Sequence, residues 1–120
     1  RLDDTARNAL RSILTAENRP SALISSSDEL THHCLPVIRE LGLKIPDDLS
    51  LISFDDSNRA RFSDPAWTSI RNPRRQTGKE SVKMIAEARR QNKPVNTLNR
   101  NLPSSLIIRQ STAPYNNKQH

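Results

Sequence analysis

The sequence predicts an α/β domain built on a parallel sheet. Short apolar runs, Ala22-Leu23-Ile24 and residues 49–54, read as buried strands, and helix-period segments lie before, between and after them. Both strands also end in carboxylates, the first in Ser25-Ser26-Ser27-Asp28 and the second in Asp55-Asp56. Ligands of open α/β sheets bind beyond the carboxyl ends of the strands, so these acids mark a candidate site. The competing structural role is plain: an Asp after a strand often caps the next helix.

The elements follow in order. Asp4 or Thr5 can cap a first helix with Ala6, Ala9, Leu10, Ile13 and Leu14 on one face, and Asn18-Arg19-Pro20 ends it. After the strand at residues 22–25, Asp28 caps a second helix that buries Leu30, Cys34, Val37, Ile38 and Leu41. Gly42 stops it at the C′ position. Pro36 falls inside and should bend that helix or delay its start. Residues 49–54 are more apolar than alternating, which predicts a strand buried on both faces. Residues 57–65 read as a polar loop and 67–70 as a third short strand. Pro73 is a boundary before a helix over 77–90 with Val82, Ile85 and Ala86 as its apolar positions. Leu102 and residues 106–108 suggest terminal strands, and the polar tail from residue 113 or 114 to 120 is expected to be disordered.

At 120 residues the chain holds one domain at most, and its start without Met, almost inside a helix, reads as a cut from a longer polypeptide. Only 33% of residues are apolar and four are aromatic, so the core is thin and partner surface is expected to be missing. No apolar run approaches the roughly 20 residues of a membrane span, and residues 1–4 begin no signal peptide. One Cys excludes an internal disulfide and fits a reducing compartment. The excess of 19 basic over 13 acidic residues gives +6, an attraction to polyanions that proves no contact.

The order of motifs resembles the effector-binding domain of the lactose/galactose repressor family. The residues are Arg19-Pro20-Ser21-Ala22-Leu23-Ile24, Ser27-Asp28, the run from Glu40 to Ser50 through Gly42 and Pro46-Asp47-Asp48, and Phe54-Asp55-Asp56. The likeness continues through Ala60-Arg61-Phe62, Pro65, Thr68-Ser69-Ile70, Pro73 and Gly78 to the stretch from Leu102 to Thr112. It covers residues 1–113; no single motif is specific, but their order and spacing together are. The resemblance implies a carboxyl-terminal subdomain of a type I periplasmic-binding-protein-like fold, a parallel-sheet α/β sandwich. A small polar effector, sugar-like, would sit in the cleft between two such subdomains. It also implies that the helix over 73–92 packs on an amino-terminal subdomain outside the chain. The protein would be a cytoplasmic homodimer, touching DNA only through a separate amino-terminal module.

Carried over position by position, Asp28 resembles the carboxylate that hydrogen-bonds the effector. Asp55 resembles the strand-end acid that contacts sugar, and Asn72 stands where many relatives carry Gln. An aspartate accepts from vicinal hydroxyls or ring N–H groups, and desolvation in a cleft makes each such bond discriminating. As structural elements, Asp28 would be a helix cap, Asp55 a holder of the following loop, and Asp56 structural. Thr31 and His33 replace the family's usual Ala and Gly, and His33 is expected to push helix packing apart.

Other constellations are weaker. His32-His33 point about 100° apart on a helix and make no metal pair, which wants i, i+4 spacing. Asp28, Asp55 and Asp56 could hold Mg²⁺ in a phosphotransfer enzyme, but two Gly build no phosphate cradle. Cys34 on an apolar helix face is core. The basic residues from Arg71 to Lys93 lack a reader motif and interleaved aromatics, so they read as a solvated helix face. The expectation is therefore a non-enzymatic regulator domain with no cofactor or metal. The rival is a periplasmic solute-binding protein that feeds a transporter.

Overall fold

The computed structural model describes residues 2–115, and the expected tail lies outside the described residues from position 116 onward. The described chain divides into two units, residues 2–71 with 106–115, and Asn72–Ser105. In the first unit α1 (Asp4–Thr15), β1 (Ala22–Ile24), α2 (Asp28–Glu40), β2 (Ser50–Phe54), α3 (Asn58–Phe62) and β3 (Thr68–Arg71) follow in turn. The second unit holds α4 (Arg74–Gln91) and a short 3-10 turn, Val95–Thr97. β4 (Ser105–Ile107) completes a four-stranded sheet in the order β1-β2-β3-β4. β1 and β2 pair in parallel with Ala22 opposite Ser50, and β2 and β3 with Ile52 opposite Thr68.

Local chemistry accounts for the boundaries. The Asp3 carboxylate accepts from the Ala6 amide at 2.7 Å, so the cap of α1 lies one residue before the predicted pair. At α2 the cap is Ser27, whose hydroxyl accepts from the Leu30 amide at 3.1 Å, and Asp28 is the first helical residue. Gly42 ends that helix with φ +69°, as its C′ position requires. Pro36 is accommodated inside α2, whose start is not delayed. Residues 57–65 are not all loop: Ser57 caps the five-residue α3 through a 3.2 Å bond to the Arg59 amide. Of the two expected terminal strands only β4 forms, without Leu102. His33, partly buried, meets Glu29 at 3.1 Å, one turn back along α2.

The core lies on one face of the sheet. Leu14, Cys34, Ile38 and Leu49 form one buried cluster, and Leu51, Ala60 and Trp67 form a second. Leu23 and Ile45 pack against both. β2 alternates, with Leu51 and Ser53 buried and Ser50, Ile52 and Phe54 only partly so. The expected burial of β2 on both faces is thus corrected. The helices α2 and α3 cover only the Leu51 side, where Leu35 and Ala60 pack.

Candidate functional site

Parallel pairing brings the carboxyl ends of β1, β2 and β3 to one edge. β1 runs into Ser25 and the α2 cap, β2 into Asp55-Asp56-Ser57, and β3 into Arg71. The turn after β2 is unusual. Asp55 has φ +101° and Asp56 φ +49°, a region that side-chain-bearing residues enter at a cost of about 1–3 kcal/mol each. Such a turn persists only where its surroundings over-determine it. The surroundings here are a set of short polar contacts.

Asp28 supplies the first set. It is 2% exposed, and both its oxygens are engaged by the chain. Oδ1 accepts from Ser53 Oγ at 2.5 Å and from Ser69 Oγ at 3.4 Å, and Oδ2 accepts from the Ser57 amide at 2.6 Å. Ser69 Oγ in turn accepts from the Asp56 amide at 3.1 Å, and the Asp55 amide donates to the Ile70 carbonyl at 2.9 Å. The first residue of α2 is thereby fastened to β2, β3 and the turn.

Asp56 supplies the second set. It is 3% exposed and accepts from Arg71 Nε at 2.6 Å, Arg109 at 2.5 Å and Arg61 at 3.1 Å. Burial alone would raise its carboxyl. The hydrogen bonds from Arg109, Arg71 and Arg61, with the charge of Arg109, outweigh that and hold it below the ordinary carboxylate value. Arg109 also donates to the Trp67 carbonyl at 2.8 Å, which ties the segment after β4 to the start of β3. Asp56 is therefore structural, as its sequence context suggested.

Asp55 stands between these two fastenings, half-buried at the carboxyl edge of the sheet. Asn72 belongs to the second unit, where its side-chain oxygen accepts from Ser104 Oγ at 2.9 Å. The sequence singled out Asp28, Asp55 and Asn72 but not Arg61, Arg71 and Arg109, nor the serines. Ser53 and Ser69, polar residues within otherwise apolar strands, were the available signal. Cys34 is buried in the core, which pushes its thiol up. Among the described residues no group of three or more His, Cys, Asp or Glu could hold a metal ion, and no helix is long and apolar enough to cross a membrane.

A sequence model of the periplasmic binding protein-like domain matches residues 2–112. The chain belongs to that family. Within it, this is an effector-binding region of the lactose/galactose repressor type. It is 32% identical over 109 residues to the HTH-type transcriptional repressor CytR of Escherichia coli (strain K12), covering 91% of this chain and 32% of that protein. It is 38% identical over 71 residues to the arabinose metabolism transcriptional repressor of Geobacillus stearothermophilus, covering 59% of this chain and 20% of that one. The crystal structure of a LacI-family regulatory protein from Chloroflexus aggregans superposes with a TM-score of 0.76 at 28% identity, over 92% of this chain and 40% of that one. The region thus spans about a third or less of the two repressors. Its relatives are transcriptional repressors and regulators, which supports a role that is not enzymatic.

Proposed function

We propose that this periplasmic-binding-protein-like region senses a small polar, sugar-like effector at the carboxyl edge of its sheet. The observation that carries the proposal is the turn at Asp55-Asp56, held in a costly conformation by Asp28 on one side and three guanidinium groups on the other. A chain spends stability in this way where a side chain must be preset, and preset groups bind without a further ordering cost.

Asp55 is the contact we assign to the effector. Its carboxylate would accept from vicinal hydroxyls, and a site that must satisfy a buried acceptor rejects ligands lacking that donor. Asp28 acts behind it by fixing the turn, since its two oxygens already accept from Ser53, Ser69 and Ser57. Asn72 would add a polar contact from the hinge side. α4 would pack on an amino-terminal subdomain, for Val82 and Ile85 are exposed on it and Ala88 is its one buried residue. The arabinose-related repressor among the relatives supports a sugar-like ligand.

The regulatory consequence follows from linkage. An effector that prefers the closed cleft shifts the population of homodimers competent to hold DNA through a module outside this region. A thermal-shift screen of neutral sugars and nucleosides on a regulator carrying this region tests the reading. A stabilising ligand whose effect disappears in Asp55→Ala is the expected result. A shift that survives Asp55→Ala removes Asp55 from the site.

A further inference from the structure

Asp56 gathers more positive charge than it can balance. Its Oδ1 accepts from Arg109, which also donates to the Trp67 carbonyl and is the least exposed of the three arginines, so one guanidinium already neutralises the carboxylate. Oδ2 nevertheless takes two more, Arg71 through Nε at 2.6 Å and Arg61 through Nη2 at 3.1 Å. Three guanidinium groups thus stand against one carboxylate, an excess of two positive charges. Among the described residues no second acid pairs with Arg61 or Arg71, and Glu29 on α2 is engaged by His33 and Arg59 instead.

The fold alone does not call for this surplus. Exposed ion pairs add little to stability, and two like charges drawn to one oxygen repel each other. The pairing also leaves donors over. Arg71 spends only Nε on Asp56, so its two terminal amino groups have no partner among the described residues, and Arg61 spends one amino group of two. Both side chains are close to half exposed at the carboxyl edge: Arg71 closes β3, and Arg61 lies on α3, which follows the Asp55-Asp56 turn. A guanidinium fork matches the oxygens of phosphate, and a phosphate group carries about −1.5 to −2 at neutral pH. Two surplus charges meet that charge almost evenly, whereas a carboxylate would leave one over. The hollow of about 300 Å³ at the opposite edge lacks such a set among the described residues: there Arg19 stands beside Asp47 and Asp48 and donates to the Asp48 carbonyl.

We propose that Arg61 and Arg71 hold a phosphate-type oxyanion at the carboxyl edge, beside the turn that presents Asp55. The phosphate is a substituent of the effector or a free phosphate, and the proposal rests on the effector reading only for the first source.

NMR of the 120-residue chain at about pH 7.5 tests it by following the arginine Nε–H signals and the amides of residues 56–61 as inorganic phosphate is added, with sodium chloride at equal ionic strength as reference. The expected result is saturable movement at Arg61 and Arg71 that chloride does not reproduce. Arg61→Gln removes an exposed partner and leaves the fold in place; it should weaken phosphate by about tenfold or more. Arg39→Gln takes an equal charge from the exposed side of α2 and should change it by less than about twofold. Arg71→Lys keeps the charge but loses the fork, so weaker binding is expected there too. Equal shifts with chloride, undiminished binding in Arg61→Gln, or acetate held as tightly as phosphate overturns the proposal.

A second arm assigns the source. A hexose phosphate that binds about tenfold tighter than inorganic phosphate, with the gain lost in Asp55→Ala, makes the phosphate part of the effector. A hexose phosphate no tighter than inorganic phosphate supports a free oxyanion at the arginines. Neutral hexoses probe Asp55 alone: their failure to bind while phosphate still binds removes the effector reading and keeps this one.

Discussion

Replacing Asp56 with Ala is the most informative single perturbation of the fold. The carboxylate is fully buried and balances three guanidinium groups. Their fates after its loss differ. The side chains of Arg61 and Arg71 are 45% and 48% exposed and rehydrate at little cost. That of Arg109 is 17% exposed and keeps only its bond to the Trp67 carbonyl, so its charge stays largely desolvated. Removing one partner of a buried ion pair costs about 3–5 kcal/mol, and Arg109 dominates that figure here. Removing Arg61 instead should cost only about 0–1 kcal/mol, as for other exposed pairs. The turn at Asp55-Asp56 relaxes together with Asp56, because its conformation is held partly by these bonds. Urea unfolding followed by the fluorescence of Trp67, the single Trp, measures these variants together with Arg109→Ala. An Asp56→Ala cost below about 1 kcal/mol, or an Arg61→Ala cost equal to that of Arg109→Ala, would refute the assignment of Asp56 as a buried counter-charge.

Three further outcomes are expected. Asp28→Ala leaves the Ser57 amide and the Ser69 hydroxyl without their acceptor, while Ser53 keeps Ser69 Oγ; it should cost about 2–4 kcal/mol, with Asp28→Asn intermediate and Ser57 exchanging faster in both. The depressed Asp56 pKa sets an acid limb. Its stabilisation is fully present above the unfolded carboxylate value of about 4 and is lost as pH falls through the lower folded value. Melting temperature against pH between 2 and 6 reads this, and Asp56→Asn should flatten the limb while lowering the plateau. Gly42→Ala meets no atom within 4 Å, so its cost is that of a positive φ alone, about 1 kcal/mol by chemical denaturation. A cost of several kcal/mol would mean that the site is crowded after all.

Local signals in the sequence were read well where one residue decides the geometry. The Gly42 stop needs only a residue that tolerates φ +69°, and β1 and β2 need only short apolar runs between helices. α3 escaped because five residues, 58–62, show no full helical period, although Ser57 is a good cap. The carboxylates at the strand ends were legible as a cluster, but not the partners that sort them. Ser53 and Ser69 lie 25 and 41 residues from Asp28, and Arg109 lies 53 from Asp56. No pattern of period 2 or 3.6 encodes such pairs. The reading of β2 as buried on both faces followed from its composition, and it fails because burial also depends on what covers Ile52 and Phe54.

The central claim is that the carboxyl edge of the sheet, at Asp55, receives a small polar effector. Amide chemical-shift mapping of the 120-residue chain titrated with neutral sugars and nucleosides tests it most directly. The account predicts that at least one ligand perturbs residues 54–58 and that Asp55→Ala abolishes the effect. Perturbations confined to the hollow at the opposite edge, around Asp47, Ser50 and Ala113, would contradict it. So would an unchanged spectrum with every ligand.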